Sequence, residues 1–192
     1  MDNTVGSLSQ VERSVVLGSL LGDGYLRIIN GRKNAFLEIN HAYSQKEYVD
    51  WKFSLLHRLV ISPPKRRENN GDRSAYRFFT KQHAELTELH SEFYCKGVKN
   101  APMIELDPLM LAVWYMDDGS ACRASDMYIN TQQFNQMSQQ NLIISLSKIG
   151  LQARLNRDKN YWRIRFLKSS IPQLKNLVSQ HIIPSMRYKL DL

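Results

Sequence analysis

Two apolar stretches of helical character each end in an acidic residue followed by glycine, and they lie about half the chain apart. The first is Val16-Leu17-Gly18-Ser19-Leu20-Leu21-Gly22-Asp23-Gly24 and the second Leu111-Ala112-Val113-Trp114-Tyr115-Met116-Asp117-Asp118-Gly119. Each copy puts a carboxylate in the last turn of a helix. There the macrodipole is negative and the final carbonyls lack intrahelical partners, so the charge costs a few tenths to about 1 kcal/mol. A positive group is expected to offset it. A divalent cation would do so by taking the carboxylate and a helix-end carbonyl as hard oxygen ligands. An acid that merely begins a turn accounts for one copy, but not for its repetition at the same helix end.

The rest of the chain repeats with the same period. Ser9-Gln10-Val11-Glu12 fits a capping box that starts the first helix, and Asp107 with Pro108 fits an N-cap and first helical position for the second. Two strands follow each helix, Tyr25 to Ile29 with Phe36 to Asn40, and Ala121 to Arg123 with Met127 to Thr131. An amphipathic helix comes next in each half. One is expected to begin at a second capping box, Ser44 to Glu47, and the other to close at Gly150. Each half then shows a hairpin, Lys65 to Glu68 with Tyr76 to Phe79 around Asn70-Gly71, and Gln152 to Arg157 with Tyr161 to Phe166. Closing helices are expected near Gln82 to Tyr94 and Ser170 to His181. The fold class is therefore α/β (α+β), a tandem repeat of an α-β-β-α-β-β-α unit. Its expected division is 1–96 and 107–192, with 97–106 as the connection.

Lys and Arg number 26 against 18 Asp and Glu, a net charge of +8, and the basic residues gather with aromatics in the strands. That favours a polyanionic partner, nucleic acid first. The longest apolar run, Leu109 to Met116, is far short of the roughly 20 residues of a membrane helix, and the polar start is not a secretory signal. A soluble, intracellular protein without a membrane partner is expected, in a bacterial cytoplasm or an organelle. Cys95 and Cys122 have neither metal-ligand spacing nor a disulfide framework and read as core thiols. Trp51, Trp114, Tyr115 and Met116 read as core. His57, His83, His90 and His181 lack the spacing of a zinc site.

The two motifs and the repeated element order resemble the LAGLIDADG homing endonuclease family in its single-chain, two-motif form. So do Tyr48 after Ser44-Gln45-Lys46-Glu47, the segment Ser62-Pro63-Pro64, Asn130-Thr131-Gln132 and the ending Ile183 to Leu190. The resemblance implies motif helices packed at the centre of a pseudo-symmetric molecule with two saddle-forming antiparallel sheets. It implies that Asp23 and Asp118 hold catalytic metal, Mg²⁺ with Mn²⁺ or Ca²⁺ able to take its place, assisted by the backbone carbonyls of Gly22 and Asp117. It places Lys99 and Lys189 beside the reacting phosphates and Gln132 in the water network of the second half. Ala42, with His41 beside it, stands where the first half would carry the matching polar side chain.

A β-ribbon fits the major groove, and alternation along the last hairpin separates Trp162, Ile164 and Phe166 from Tyr161, Arg163 and Arg165. The second set is the candidate DNA face. Arg123, Arg154 and Arg157 join it in the second half, and Arg27, Lys33, Lys65, Arg67, Arg73 and Arg77 form its counterpart in the first. The expected protein is a monomeric endonuclease that cuts both strands of a long, non-palindromic duplex. The alternatives are an RNA-binding intron maturase and a catalytically silent DNA-binding regulator.

Overall fold

A computed structural model describes residues 6–68, 74–123 and 126–190. The Asn70-Gly71 turn and Arg73 lie outside them. The chain divides into two compact units, residues 1–91 and 92–192.

The first unit contains α1 (Gln10–Leu21), β1 (Tyr25–Arg27), β2 (Phe36–Ala42), α2 (Lys46–Leu56), β3 (Lys65–Glu68), β4 (Ser74–Phe79) and most of α3 (Ala84–Phe93). A two-stranded hairpin, β5 (Tyr94–Cys95) and β6 (Val98–Lys99), opens the second unit. It continues with α4 (Pro108–Asp118), β7 (Gly119–Arg123), β8 (Asp126–Ile129), α5 (Gln136–Lys148), β9 (Ala153–Asp158), β10 (Tyr161–Phe166) and α6 (Ile171–Val178). The sheets are antiparallel, with strand orders β1-β2-β4-β3 and β7-β8-β10-β9. The repeat seen in the motifs is thus a repeat of topology.

In the first unit, alternation turns Leu26, Leu37, Ile39, His41, Tyr76 and Phe78 inward, where α2 packs on β2 and β4. Each fully buried Leu or Ile contributes roughly 1.5–3 kcal/mol. Helix α1 is buried along almost its whole length, Glu12 included. Its capping box forms as expected, Ser9 Oγ accepting from Glu12 N and Glu12 Oε2 from Ser9 N. Arg58 closes the arrangement by donating from Nε to Glu12 Oε1 at 3.0 Å. Ser9→Ala should lower stability by about 1 kcal/mol in urea melts.

Burial works against the Glu12 charge. Arg58 and the Ser9 backbone and hydroxyl nonetheless hold its carboxyl below the ordinary value. The stability this acid contributes is therefore present above its unfolded pKa of about 4.3 and is lost as pH falls through the lower folded value. The stability gap between the wild type and Glu12→Gln should accordingly be widest near neutral pH and close on the acid side. A constant gap across the acid limb would remove this linkage.

Several local expectations shift. Ser44 lies inside a 3-10 turn, Tyr43–Gln45, and α2 starts at Lys46 with no side-chain cap, so the second capping box does not form. The segment expected to be a plain connection instead begins with the β5–β6 hairpin. Its two-residue turn sets Lys96 and Gly97 at φ 51° and 78°, the twist that suits tight hairpins. Cys95 and Cys122 are exposed, Cys95 beside that turn and Cys122 on edge strand β7, and are not core thiols. Trp114, Tyr115 and Met116 are fully buried, whereas Trp51 is half-buried and stacks on Tyr48. Gly150, at φ 81°, follows α5 in the left-handed conformation that ends helices. Among the described residues, no helix is long and apolar enough to cross a membrane.

Candidate functional site

In the first unit, α1 ends where the Gly22 amide donates to Gly18 O at 3.2 Å and Ser19 O at 3.1 Å. Gly24 N then turns back to Ser19 O at 2.7 Å. A Cβ on Gly24 would meet Ser19 O and Cβ at 2.8 Å, so glycine is what lets the chain fold back there. Asp23, between the two glycines, is pushed outward with 51% of its side chain exposed. His41 Nδ1 approaches its Oδ2 at 3.6 Å from the inward face of β2, with only 3% of the ring exposed. The ring's other nitrogen, Nε2, stands 3.5 Å from Nζ of the buried Lys52.

The second unit also turns at a glycine, but there the acid is the last residue of the helix and the glycine is its cap. Gly119 N donates to Tyr115 O, and a Cβ on Gly119 would lie 2.3 Å from that oxygen and 2.6 Å from the Tyr115 ring. Tyr115 is fully buried and has little room to yield. Gly119→Ala should therefore destabilise the protein by about 1–3 kcal/mol and displace Asp118, measurable together as lower urea midpoints and lost activity. Asp118 O accepts from Asn130 N at 2.9 Å, which ties the helix end to the segment after β8. Its carboxylate accepts from Gln133 Nε2 at 3.4 Å. Gln132, the neighbour singled out in the sequence, turns to Asp158 Oδ2 at 3.3 Å. Gln133 carried no signal in the sequence beyond its adjacency to Gln132.

Lys189 lies in a 3-10 turn, Pro184–Lys189, and its Nζ donates to Met116 O and, at 2.8 Å, to Asp117 O. The positive charge that the end of α4 calls for is thus supplied by a lysine. The Asp117 carbonyl, assigned to metal by resemblance, accepts from that ammonium. Tyr115 fixes the same lysine from the other side, its hydroxyl donating to Lys189 O at 2.9 Å. Burial pushes the Tyr115 phenol well up, so it remains a neutral donor. Lys99, on β6 opposite Tyr94, holds its ammonium 5.9 Å from the Phe134 ring centroid. Asp23 is exposed and Asp118 half-buried, so each unit presents at its helix end a carboxylate of the hard oxygen type that a small divalent cation takes.

Register sorts the basic candidates. In the first sheet Tyr25, Glu38 and Phe79 align across three strands, with Arg27, Arg77, Lys65 and Arg67 on the same open face. Glu38 sits between two of them, 3.4 Å from Arg27 and 3.6 Å from Arg77. Lys33 is exposed in the turn after β1. In the second sheet Arg163, Arg165, Tyr161 and Arg154 share the open face. Arg165 pairs with Asp126, and Arg163 lies 4.0 Å over the Tyr128 ring centroid and 4.0 Å from Asp158. Arg157 pairs in register with Trp162 and so falls on the opposite face, its Nε donating to Lys159 O. Arg123 ends β7. The acids that hold the arginines were not apparent in the sequence, because the pairing register that juxtaposes them is not written in either strand alone.

Residues 13–174 match the model of the LAGLIDADG DNA endonuclease family. The chain belongs to that family. Among LAGLIDADG relatives it is 28% identical over 211 residues to the cytochrome b mRNA maturase bI2 of Saccharomyces cerevisiae, a match covering 99% of this chain and 49% of the maturase. The chain thus spans about half the length of that relative. It is 27% identical over 199 residues to a probable intron-encoded endonuclease 1 of Wickerhamomyces canadensis, covering 96% of this chain and 85% of the relative. Its structure superimposes on that of the homing endonuclease I-WcaI bound to its DNA recognition sequence, with a TM-score of 0.87 and 26% identity over 97% of this chain and 88% of the other.

Proposed function

We propose that this LAGLIDADG protein is a monomeric DNA endonuclease that hydrolyses both strands of a long, non-palindromic duplex with divalent metal ions, magnesium foremost. The observation that carries the reading is the same acid at the same helix end in both repeats, each followed by a glycine that a Cβ would not fit. The likeness to I-WcaI, solved with its DNA recognition sequence, supports a duplex as the substrate.

In this reading Asp23 and Asp118 each hold metal through carboxylate oxygens, with the Gly22 carbonyl beside the one and the Asp117 carbonyl beside the other. When bound, such an ion polarises the phosphoryl group and lowers the pKa of an attacking water. Lys189 keeps the end of α4 rigid and electrostatically balanced, and Lys99 and Lys189 each stand by one of the two reacting phosphates. Gln133 steadies Asp118, while Gln132 is turned away to Asp158. The open sheet faces track the major groove, Arg27, Arg77, Arg163 and Arg165 aimed by their acidic neighbours and Lys65, Arg67, Arg154 and Tyr161 meeting the backbone.

The test is to incubate the purified protein with a library of randomised long duplexes in magnesium, then in EDTA, and to sequence the cut ends. Enrichment of one asymmetric site in magnesium alone is expected. Uncut duplexes in every condition would overturn the reading. The similarity to the yeast maturase favours a second activity, assistance of intron splicing, which predicts binding of intron RNA in competition with duplex DNA. Intron RNA bound more tightly than any duplex would make that the primary role.

A further inference from the structure

Lys52 is fully buried on α2, its ammonium 3.5 Å from His41 Nε2 and 4.4 Å from the centroid of the Tyr48 ring. His41 leans on the same ring, 5.2 Å between centroids, and turns Nδ1 towards Asp23. A lysine taken wholly out of water is costly to keep, and the cation–π contact offsets only part of that cost. The chemistry assigned above to the acids and helix ends employs neither Lys52 nor His41.

An ammonium has three donors and no acceptor. With Lys52 as an ammonium and the ring neutral, the nitrogen facing Lys52 presents a lone pair and the imidazole proton sits on the opposite nitrogen, the one that faces Asp23. We propose that Lys52 fixes His41 as the Nδ1–H tautomer, making His41 a positioning residue whose N–H faces the Asp23 carboxylate across 3.6 Å and that does not ligate the metal. The proposal rests on the reading of Asp23 as a metal-holding acid. A protonated nitrogen has no lone pair for a cation, so the arrangement keeps the donors at Asp23 all oxygen, which suits magnesium or calcium over zinc. It also explains the first repeat's departure at Ala42. Strand alternation turns Ala42 to the open face and His41 inward, so Asp23 is faced from the core side, whereas in the second repeat Asp118 accepts from the exposed Gln133.

Long-range proton–nitrogen correlation spectra of ¹⁵N-labelled wild-type protein at neutral pH test this without any substitution, His41 being identified by the signals absent from His41→Gln. The Nδ1–H pattern is expected, with a shift towards Nε2–H in Lys52→Met. An Nε2–H or doubly protonated ring in the wild type, or a tautomer unchanged in Lys52→Met, would overturn the proposal. Single-turnover cleavage of the selected duplex adds a second readout. Lys52→Met and His41→Gln should slow it about tenfold or more with duplex affinity in calcium unchanged within twofold. His41→Asn, whose amide nitrogen overlays Nδ1, should restore most of the rate, and failure of Asn to do better than Gln would count against positioning. If the wild type cleaves no duplex, the endonuclease reading falls while the spectra still decide the state of His41.

Discussion

Asp118→Asn is expected to lower the cleavage rate of the selected duplex by about a thousandfold, the scale on which removing a group aimed at developing charge acts. The substitution keeps size and shape but removes the charge that holds a cation. It also leaves intact the backbone bond from Asn130 N to Asp118 O, so the helix end should not move. Asp23→Asn should behave alike, and loss of either acid should abolish double-strand cleavage. Duplex binding measured in calcium should change little by comparison, because the basic faces of the sheets are untouched. Gel separation of nicked and linear products reads both strands at once. Cleavage surviving at near wild-type rates in either variant would mean that the acid ends its helix for structural reasons alone.

The second large effect is on affinity. If six to ten cationic side chains reach phosphates, duplex binding should weaken by about a thousandfold or more between 50 and 200 mM salt. The structure divides that number unevenly. Arg27 and Arg77 share Glu38, Arg163 neighbours Asp158 and Arg165 pairs with Asp126, so these four are partly neutralised and oriented before DNA arrives. The hydrogen bond to Asp126 holds the Arg165 pKa above the ordinary value against the opposing effect of burial. Lys65, Arg67 and Arg154 are exposed on the same faces and should carry more of the salt dependence. Replacing those three with Gln should flatten the slope of log affinity against log salt by about 0.9 for each phosphate that is no longer neutralised. Glu38→Gln should steepen it and relax discrimination between the selected duplex and a scrambled one. An unchanged slope in the triple variant would mean that other cations neutralise the phosphates.

The order of elements in both repeats was legible because each carries its own periodicity and stop signal, Gly22-Asp23-Gly24 ending one motif helix and Asp118-Gly119 the other. What escaped the sequence depends on groups that only folding brings together. Ser44 has the side chain of an N-cap, but a 3-10 turn absorbs it, so the composition of a capping box was present without its geometry. The β5–β6 hairpin was hidden because its strands are two residues long and a lysine, not only a glycine, takes positive φ in the turn. Lys189 stands more than seventy positions from the carbonyls it satisfies, and nothing local announces that pairing. His41 drew notice only as the neighbour of Ala42. The one-residue alternation of β2 makes it the buried member of the pair, and Lys52 on the next helix gives it a direction.

On the reading above, the two acidic helix ends hold divalent metal when duplex DNA is bound. This is tested most directly by counting Mn²⁺ ions bound to the complex with the selected duplex, using electron paramagnetic resonance, in the wild type and in the Asp23→Asn, Asp118→Asn double variant. Bound manganese is expected in the wild-type complex and its loss in the double variant, with the duplex still bound. Equal manganese in both complexes would contradict it.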